Sequence, residues 1–204
     1  MSEAPAIDAP AAGKREATKA ANRAAILAAA RVVFADIGFG AASVRDIIRR
    51  TDLASGTFYN YFPDKESVLR EILDETTGEI RVRVREARRG AATVEEFVAD
   101  GFRAYLEYLA SDRETLELMS RNAGTIRAMF DEPAVGAGGE ELRADLEQGV
   151  ADGILAPHDS ELLAAAMVGA GVEVGVRLVA REPIDVDGPV ELLTSVFAPV
   201  LRRA

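Results

Sequence analysis

The chain has 204 residues, with 24 Lys and Arg, 34 Asp and Glu, one His, no Cys and no Trp, for a formal net charge of −10 at pH 7. With 49% hydrophobic and 28% charged residues it has the make-up of a globular chain with ample core material, which argues against global disorder. Zero cysteine excludes a disulfide framework, thiolate metal sites and cysteine catalysis, and a single histidine excludes His-cluster metal sites and leaves little room for a serine–histidine triad.

Residues 1–17 are rich in Ala and Pro at their start, without an apolar period, and read as a flexible tail. A helix is expected over residues 18–37, where Ile26, Leu27, Ala30, Val33 and Phe34 recur at three- and four-residue steps. Gly38-Phe39-Gly40 stops it. Ser43 suits the N-cap of a short helix over residues 44–50, and a break at Thr51-Asp52-Leu53 precedes a second short helix over residues 55–61. Pro63-Asp64 then caps a long connecting helix over residues 65–89. Further helices are expected over residues 93–110, 112–122, 125–130, 140–150, 159–181 and 189–203, with a Gly/Pro-bearing loop at 133–139.

Two short helices joined by a tight turn point to helix-turn-helix DNA binding. Val44, Ile47, Ile48, Leu53, Phe58 and Phe62 would seal a small core. The outward face would then present Ser55, Gly56, Thr57, Tyr59, Asn60 and Tyr61, small or hydrogen-bonding groups suited to base edges and phosphates. Tyr59 and Tyr61 fall on the face opposite Phe58 and Phe62, where a purely apolar core explains them poorly. Charge supports the same end of the chain. Residues 13–72 carry ten basic and seven acidic residues, a local +3 against −13 elsewhere.

The run Ala24-Ala25-Ile26-Leu27 through Phe34-Ala35-Asp36-Ile37-Gly38-Phe39, with Ser43-Val44-Arg45-Asp46-Ile47-Ile48 after it, resembles the start of a tetracycline-repressor (TetR) family regulator. Gly56-Thr57-Phe58-Tyr59-Asn60-Tyr61-Phe62-Pro63-Asp64-Lys65-Glu66 is similar to that family's most recognisable stretch. The resemblance covers residues 23–73 and implies an all-α fold. A helix-turn-helix DNA-binding domain (18–64) would precede a larger helical ligand-binding and dimerisation domain (65–204). It also implies a homodimeric repressor, double-stranded operator DNA as partner, and a small-molecule effector. Carried over by position, Ser43 and Arg45 fall at the first motif helix, and Thr57 and Tyr59 at recognition contacts. Tyr61 falls at a backbone contact and Lys65 at a phosphate-gripping lysine. Ser55, Gly56 and Asn60 complete the candidate DNA-binding set. Where the family often has Gly in the turn and Ser as cap, this chain has Asp52 and Ala54. Alanine cannot cap, so Asp52 or Ser55 is expected to do so.

In the body, Phe102, Tyr105, Met119, Ile126, Met129 and Phe130 are expected to line an apolar cavity roofed by the connecting helix. Glu173 and Arg177, four apart, fit an intrahelical ion pair at a subunit contact or a polar pocket lining, and are carried as ligand-site candidates. Arg177 or Arg127 is a candidate holder for an acidic ligand group. Leu162, Val168, Val172, Val176, Leu193, Val196, Phe197 and Val200 are expected to form a two-fold dimer seam, with Gly171 and Gly175 permitting close helix approach. The basic run Arg81, Arg83, Arg85, Arg88 and Arg89 reads as a solvated face or as partners of the acidic body. His158 reads as a surface or capping residue. No catalytic residue, metal ligand or cofactor is expected. The alternatives are an all-α interaction scaffold without DNA binding and an all-α enzyme. With no apolar run long enough to span a bilayer and no visible signal peptide, a cytoplasmic protein without a membrane partner is expected.

Overall fold

The computed structural model describes residues 9–202, which form ten helices and, among the described residues, no strand. The first, α1 (Ala9–Ile37), turns Ile26, Ala30, Val33 and Phe34 inward. It starts nine residues before the expected residue 18, so part of the expected tail is helical. Alanine is the strongest helix former and Pro10 sits in the first turn, where its missing N–H is no loss. The tail's residues 1–8 lie outside the described residues, as does Arg203 at the end of the last expected helix. Gly38, at φ +79°, ends α1 in the left-handed region that glycine takes without strain.

The next helix, α2 (Val44–Ile48), opens on a capping box in which Ser43 Oγ accepts from Asp46 N and Asp46 accepts from Ser43 N. Those Ser43 hydrogen bonds hold the Asp46 carboxyl below its ordinary range. α3 (Ser55–Phe58) is a single turn, shorter than the expected 55–61, and the chain continues as turns. Neither Asp52 nor Ser55 caps it. Thr51 Oγ1 instead accepts from Leu53 N and donates to Ile48 O, so the turn holds without a glycine or a capping serine. α4 (Lys65–Gly90) starts at Asp64, which accepts from Ser67 N at 2.7 Å. It runs unbroken from the small N-terminal core of Ile26, Phe34, Ile47, Phe58 and Phe62 into the body.

The body comprises α5 (Val94–Ser111), α6 (Arg113–Arg121), α7 (Ala123–Arg127), α8 (Pro133–Ala151), α9 (Ser160–Leu178) and α10 (Asp187–Leu201). α4 packs on α5 and α8, α10 packs on α5, and α9 packs on α8, while α1 rests on α6. Residues 133–139, expected as a loop, are helical. Pro133 occupies the first helical position, which proline tolerates, and the glycines behind it allow close packing. A Cβ on Gly136 would stand 2.3 Å from Phe130 O. Gly136→Ala is therefore expected to destabilise the fold by about 1–3 kcal/mol, although alanine is the better helix former. Gly78→Ala in α4, where a Cβ meets nothing within 4 Å, is expected to stabilise by about 0.4–1 kcal/mol. Urea denaturation of the pair checks both signs. Among the described residues, no helix is long and apolar enough to cross a membrane.

Candidate functional site

Phe58 and Phe62 are buried and Phe58 stacks edge-on against Tyr59, with ring centroids 5.4 Å apart. This seals the underside of the turn and leaves Tyr59 62% exposed beside exposed Ser55, Gly56 and Asn60. Thr57 is half-buried at the edge of that face. Ser43 and Arg45 are exposed at the start of α2, and Ser43 Oγ also donates to Asp46 at 2.5 Å. Two members of the candidate set have internal partners. Tyr61 is half-buried and its hydroxyl accepts from Asn22 Nδ2 of α1 at 3.1 Å. Lys65 Nζ donates to Phe39 O and Ala42 O at 2.8 and 2.9 Å and lies 4.4 Å from the Phe39 ring centroid. Lys65 thus ties the turn between α1 and α2 to the head of α4, with one of its three protons left for an outside acceptor.

A residue that periodicity did not single out joins this head to the body. Asn122, between α6 and α7, is 3% exposed. Its Nδ2 donates to Phe34 O at 2.9 Å and Leu118 O at 2.7 Å, while its Oδ1 accepts from Phe39 N at 2.6 Å. Because the side chain faces α1, it makes no capping bond to α7. A buried asparagine with all these groups matched is a directional tie between two packing units.

Inside the body lies a cavity of about 160 Å³ between α4, α5, α6, α7, α8 and α9. Of the expected ligand-site residues, Phe102, Tyr105, Met119, Ile126 and Phe130 line it. Met129 packs half-buried against the core outside the lining. Glu173 and Arg177 do not line it either. They pair on the exposed side of α9, where Arg127 reaches the same carboxylate at 2.8 Å, and both guanidiniums hold Glu173 below the ordinary carboxylate range. Neither Arg177 nor Arg127 is therefore in place to hold a ligand acid within the cavity. Gly171 and Gly175, read from sequence as seam residues, face inward. Cβ atoms there would meet Phe102 Cε1 at 3.3 Å and Leu109 Cδ1 at 2.8 Å, so these glycines make room for α5 and its aromatic rings. Burial pushes the Tyr105 phenol far up.

The arginine run divides by face. Arg81 donates through Nε and Nη2 to Glu141 Oε1 at 3.0 and 2.6 Å, Arg85 lies 3.5 Å from the same oxygen, and Arg88 reaches Asp145 at 2.8 Å. Arg83 lies over the Tyr108 ring. Arg81 and Arg88 line the cavity, although nothing in their sequence pattern separates them from the solvated arginines beside them.

The expected dimer residues also divide. Leu162, Val196 and Val200 are exposed, with exposed Leu192 among them on α9 and α10. Leu193 and Phe197 are buried in their own protomer, Phe197 against Phe102 with centroids 5.8 Å apart. Val168, Val172 and Val176 line the cavity. A helix apolar on several sides has more than one partner, and α10 turns Leu193 and Phe197 toward α5.

Residues 26–72 match the model of the bacterial regulatory proteins of the tetR family. The chain is 34% identical over 90 residues to the HTH-type transcriptional repressor KstR2 of Rhodococcus jostii, covering 42% of this chain and 44% of that one. It is 32% identical over 87 residues to the fatty acid metabolism regulator protein of Bacillus subtilis, covering 43% and 45%. These matches span less than half the length of either relative. The fatty acid degradation regulator FadR from Bacillus halodurans superposes with a TM-score of 0.74 at 25% identity, covering 89% of this chain and 97% of that one. Residues 26–72 thus carry the N-terminal domain of the tetR family. The fold as a whole, an N-terminal helix-turn-helix domain on a larger helical body, is that of the FadR structure, and the relatives are regulators rather than enzymes.

Proposed function

We propose that this TetR-family chain is a ligand-responsive transcriptional repressor that binds operator DNA as a two-fold dimer and is released by a small apolar or amphipathic molecule. The observation that carries the DNA-binding part is the polar and aromatic face of Ser55, Gly56, Tyr59 and Asn60, exposed above a sealed phenylalanine core. An exposed tyrosine and asparagine with no core to fill suit base edges and phosphates, and exposed Arg45 adds charge beside them. The apolar cavity supports the effector, and two relatives named for fatty acid metabolism or degradation accord with an amphipathic one. The exposed leucines and valines of α9 and α10 support the dimer, since two such faces bury each other in an isologous four-helix seam.

Duplex titration over a salt series, with operator-containing and scrambled DNA, tests the reading. Arg45→Ala is expected to weaken both duplexes about equally and to lower the salt slope by about one. Asn60→Ala or Thr57→Val is expected to change the sequence preference by about 1–3 kcal/mol while leaving the salt slope in place. Full affinity in a folded Tyr59→Ala, Asn60→Ala double variant refutes the assignment of this face.

A further inference from the structure

Arg88 sits near the end of α4 with its side chain only 8% exposed. Nη2 reaches Asp145 at 2.8 Å and the guanidinium lies 5.8 Å from the Phe97 ring centroid, yet Nε is buried without any hydrogen-bond partner. Burial pulls Arg88 below the ordinary guanidinium range, and Asp145 only partly restores it. A buried donor on a charged group left unmatched is rare, because its lost hydration is regained only when an acceptor arrives. Arg88 lines the cavity. Along that side of α4, Arg81 and Arg85 share Glu141 while Arg88 has Asp145, so three guanidiniums face two carboxylates and one positive charge is left over.

Apart from Thr77 and the paired Arg81 and Glu141, the rest of the lining is largely apolar. Phe97, Val98, Phe102, Tyr105 and Leu109 follow one stripe of α5, and at 1.5 Å per residue the stretch from Phe97 to Leu109 is about 18 Å long. Arg88 stands at one end of it, where a Cβ on Gly101 would meet its Cγ at 3.4 Å, and Leu109 lies at the other. The cavity of about 160 Å³ thus has an apolar wall about 18 Å long with a cation at one end.

We propose that Arg88 anchors the head group of the cavity's ligand through its unpartnered Nε, and that the ligand is a monoanionic amphiphile, a carboxylate on an unbranched aliphatic chain. This rests on the cavity being the effector site and adds the chemical class and the residue that selects it. The carboxylate accepts from Nε and neutralises the extra charge, and the chain runs along α5 toward Leu109.

Calorimetric titration of the full-length protein below micellar concentrations, with dodecanoate and with dodecanol, tests the anchor. Dodecanoate is expected to bind at least tenfold more tightly than dodecanol. Arg88→Gln is expected to erase that preference, weakening dodecanoate tenfold or more and moving dodecanol less than twofold. Should Arg88→Gln fail to fold, Asp145→Asn removes the competing carboxylate and is expected to tighten dodecanoate several-fold with dodecanol unmoved. Equal binding of the two probes to the wild-type protein, or a preference that survives Arg88→Gln, overturns the anchor while leaving the cavity as a site. Binding of neither probe by a protein that still binds its operator overturns the cavity reading itself, and the anchor with it.

Discussion

Asn122→Ala is expected to lower stability by about 1–3 kcal/mol and to separate ligand binding from DNA binding. The variant removes the Oδ1 that Phe39 N donates to, leaving an unsatisfied donor in a tightly packed turn. Phe34 O and Leu118 O each retain a backbone partner, from Gly38 N and Asn122 N, so the main penalty is the single orphaned N–H. In a chain of this length, about 2–4 °C of melting temperature accompanies each kcal/mol. The second effect is the more informative one. Met119, Ala123 and Ile126 line the cavity on either side of Asn122, and Asn122 is bonded to the end of α1, so a ligand that moves α6 and α7 pulls on Phe34 and Phe39. Wild-type coupling in the usual range is about 1–3 kcal/mol, a 5- to 150-fold change in operator affinity. In the folded Asn122→Ala protein that change is expected to shrink below twofold, with ligand and operator each still bound. Undiminished coupling in Asn122→Ala would place the route elsewhere, along α4.

The double variant Leu192→Glu, Val196→Glu is expected to convert the protein to monomers at micromolar concentration and to weaken full-operator binding by about 10²–10⁴-fold. Both residues are more than half exposed in the protomer, so the glutamates leave its own core undisturbed. In the seam they would set like charges against each other across the two-fold axis in a desolvated place. The loss on DNA follows from effective concentration, because a monomer engages its half-site without a tethered second copy. Sedimentation equilibrium and a full-site against half-site titration read the two effects. A dimer that persists in the variant moves the seam off α10.

Which parts of this were legible in the sequence follows from physics. Caps were legible because capping is local. Ser43 and Asp64 each accept from a backbone N–H three residues on, while the cap expected from Asp52 or Ser55 at α3 does not form. The split of Phe58 and Phe62 from Tyr59 was legible because helical spacing separates the faces. The helix over residues 133–139 was hidden because three glycines and a proline argue locally for a loop, and only packing against Phe130, Arg81 and Val168 outweighs them. The exposed apolar side of α10 was half legible. Leu192 and Leu193, or Val196 and Phe197, are equally apolar neighbours, and only the position of α5 decides which of each pair is buried. Asn122 and Arg88 lay beyond reach. One polar residue in an apolar pattern carries no signal of a partner 83 residues away, and one arginine among five carries none of its own burial.

The ties around Lys65 bear on what an effector is able to change. The carbonyls of Phe39 and Ala42 are pinned to the head of α4, the capping box holds α2, and Tyr61 is bonded to α1, so α2, α3 and the ends of α1 and α4 beside them behave as one rigid block. A block of this kind is displaced whole rather than reshaped. On the proposed function, effector binding would alter how far apart two such blocks stand, while the bases each one prefers would stay the same. Address and permission would thereby be written in separate parts of the molecule. Changes in the body would then give the protein a new inducer without redirecting it to other genes, and changes in Thr57 or Asn60 would redirect it while the inducer is kept.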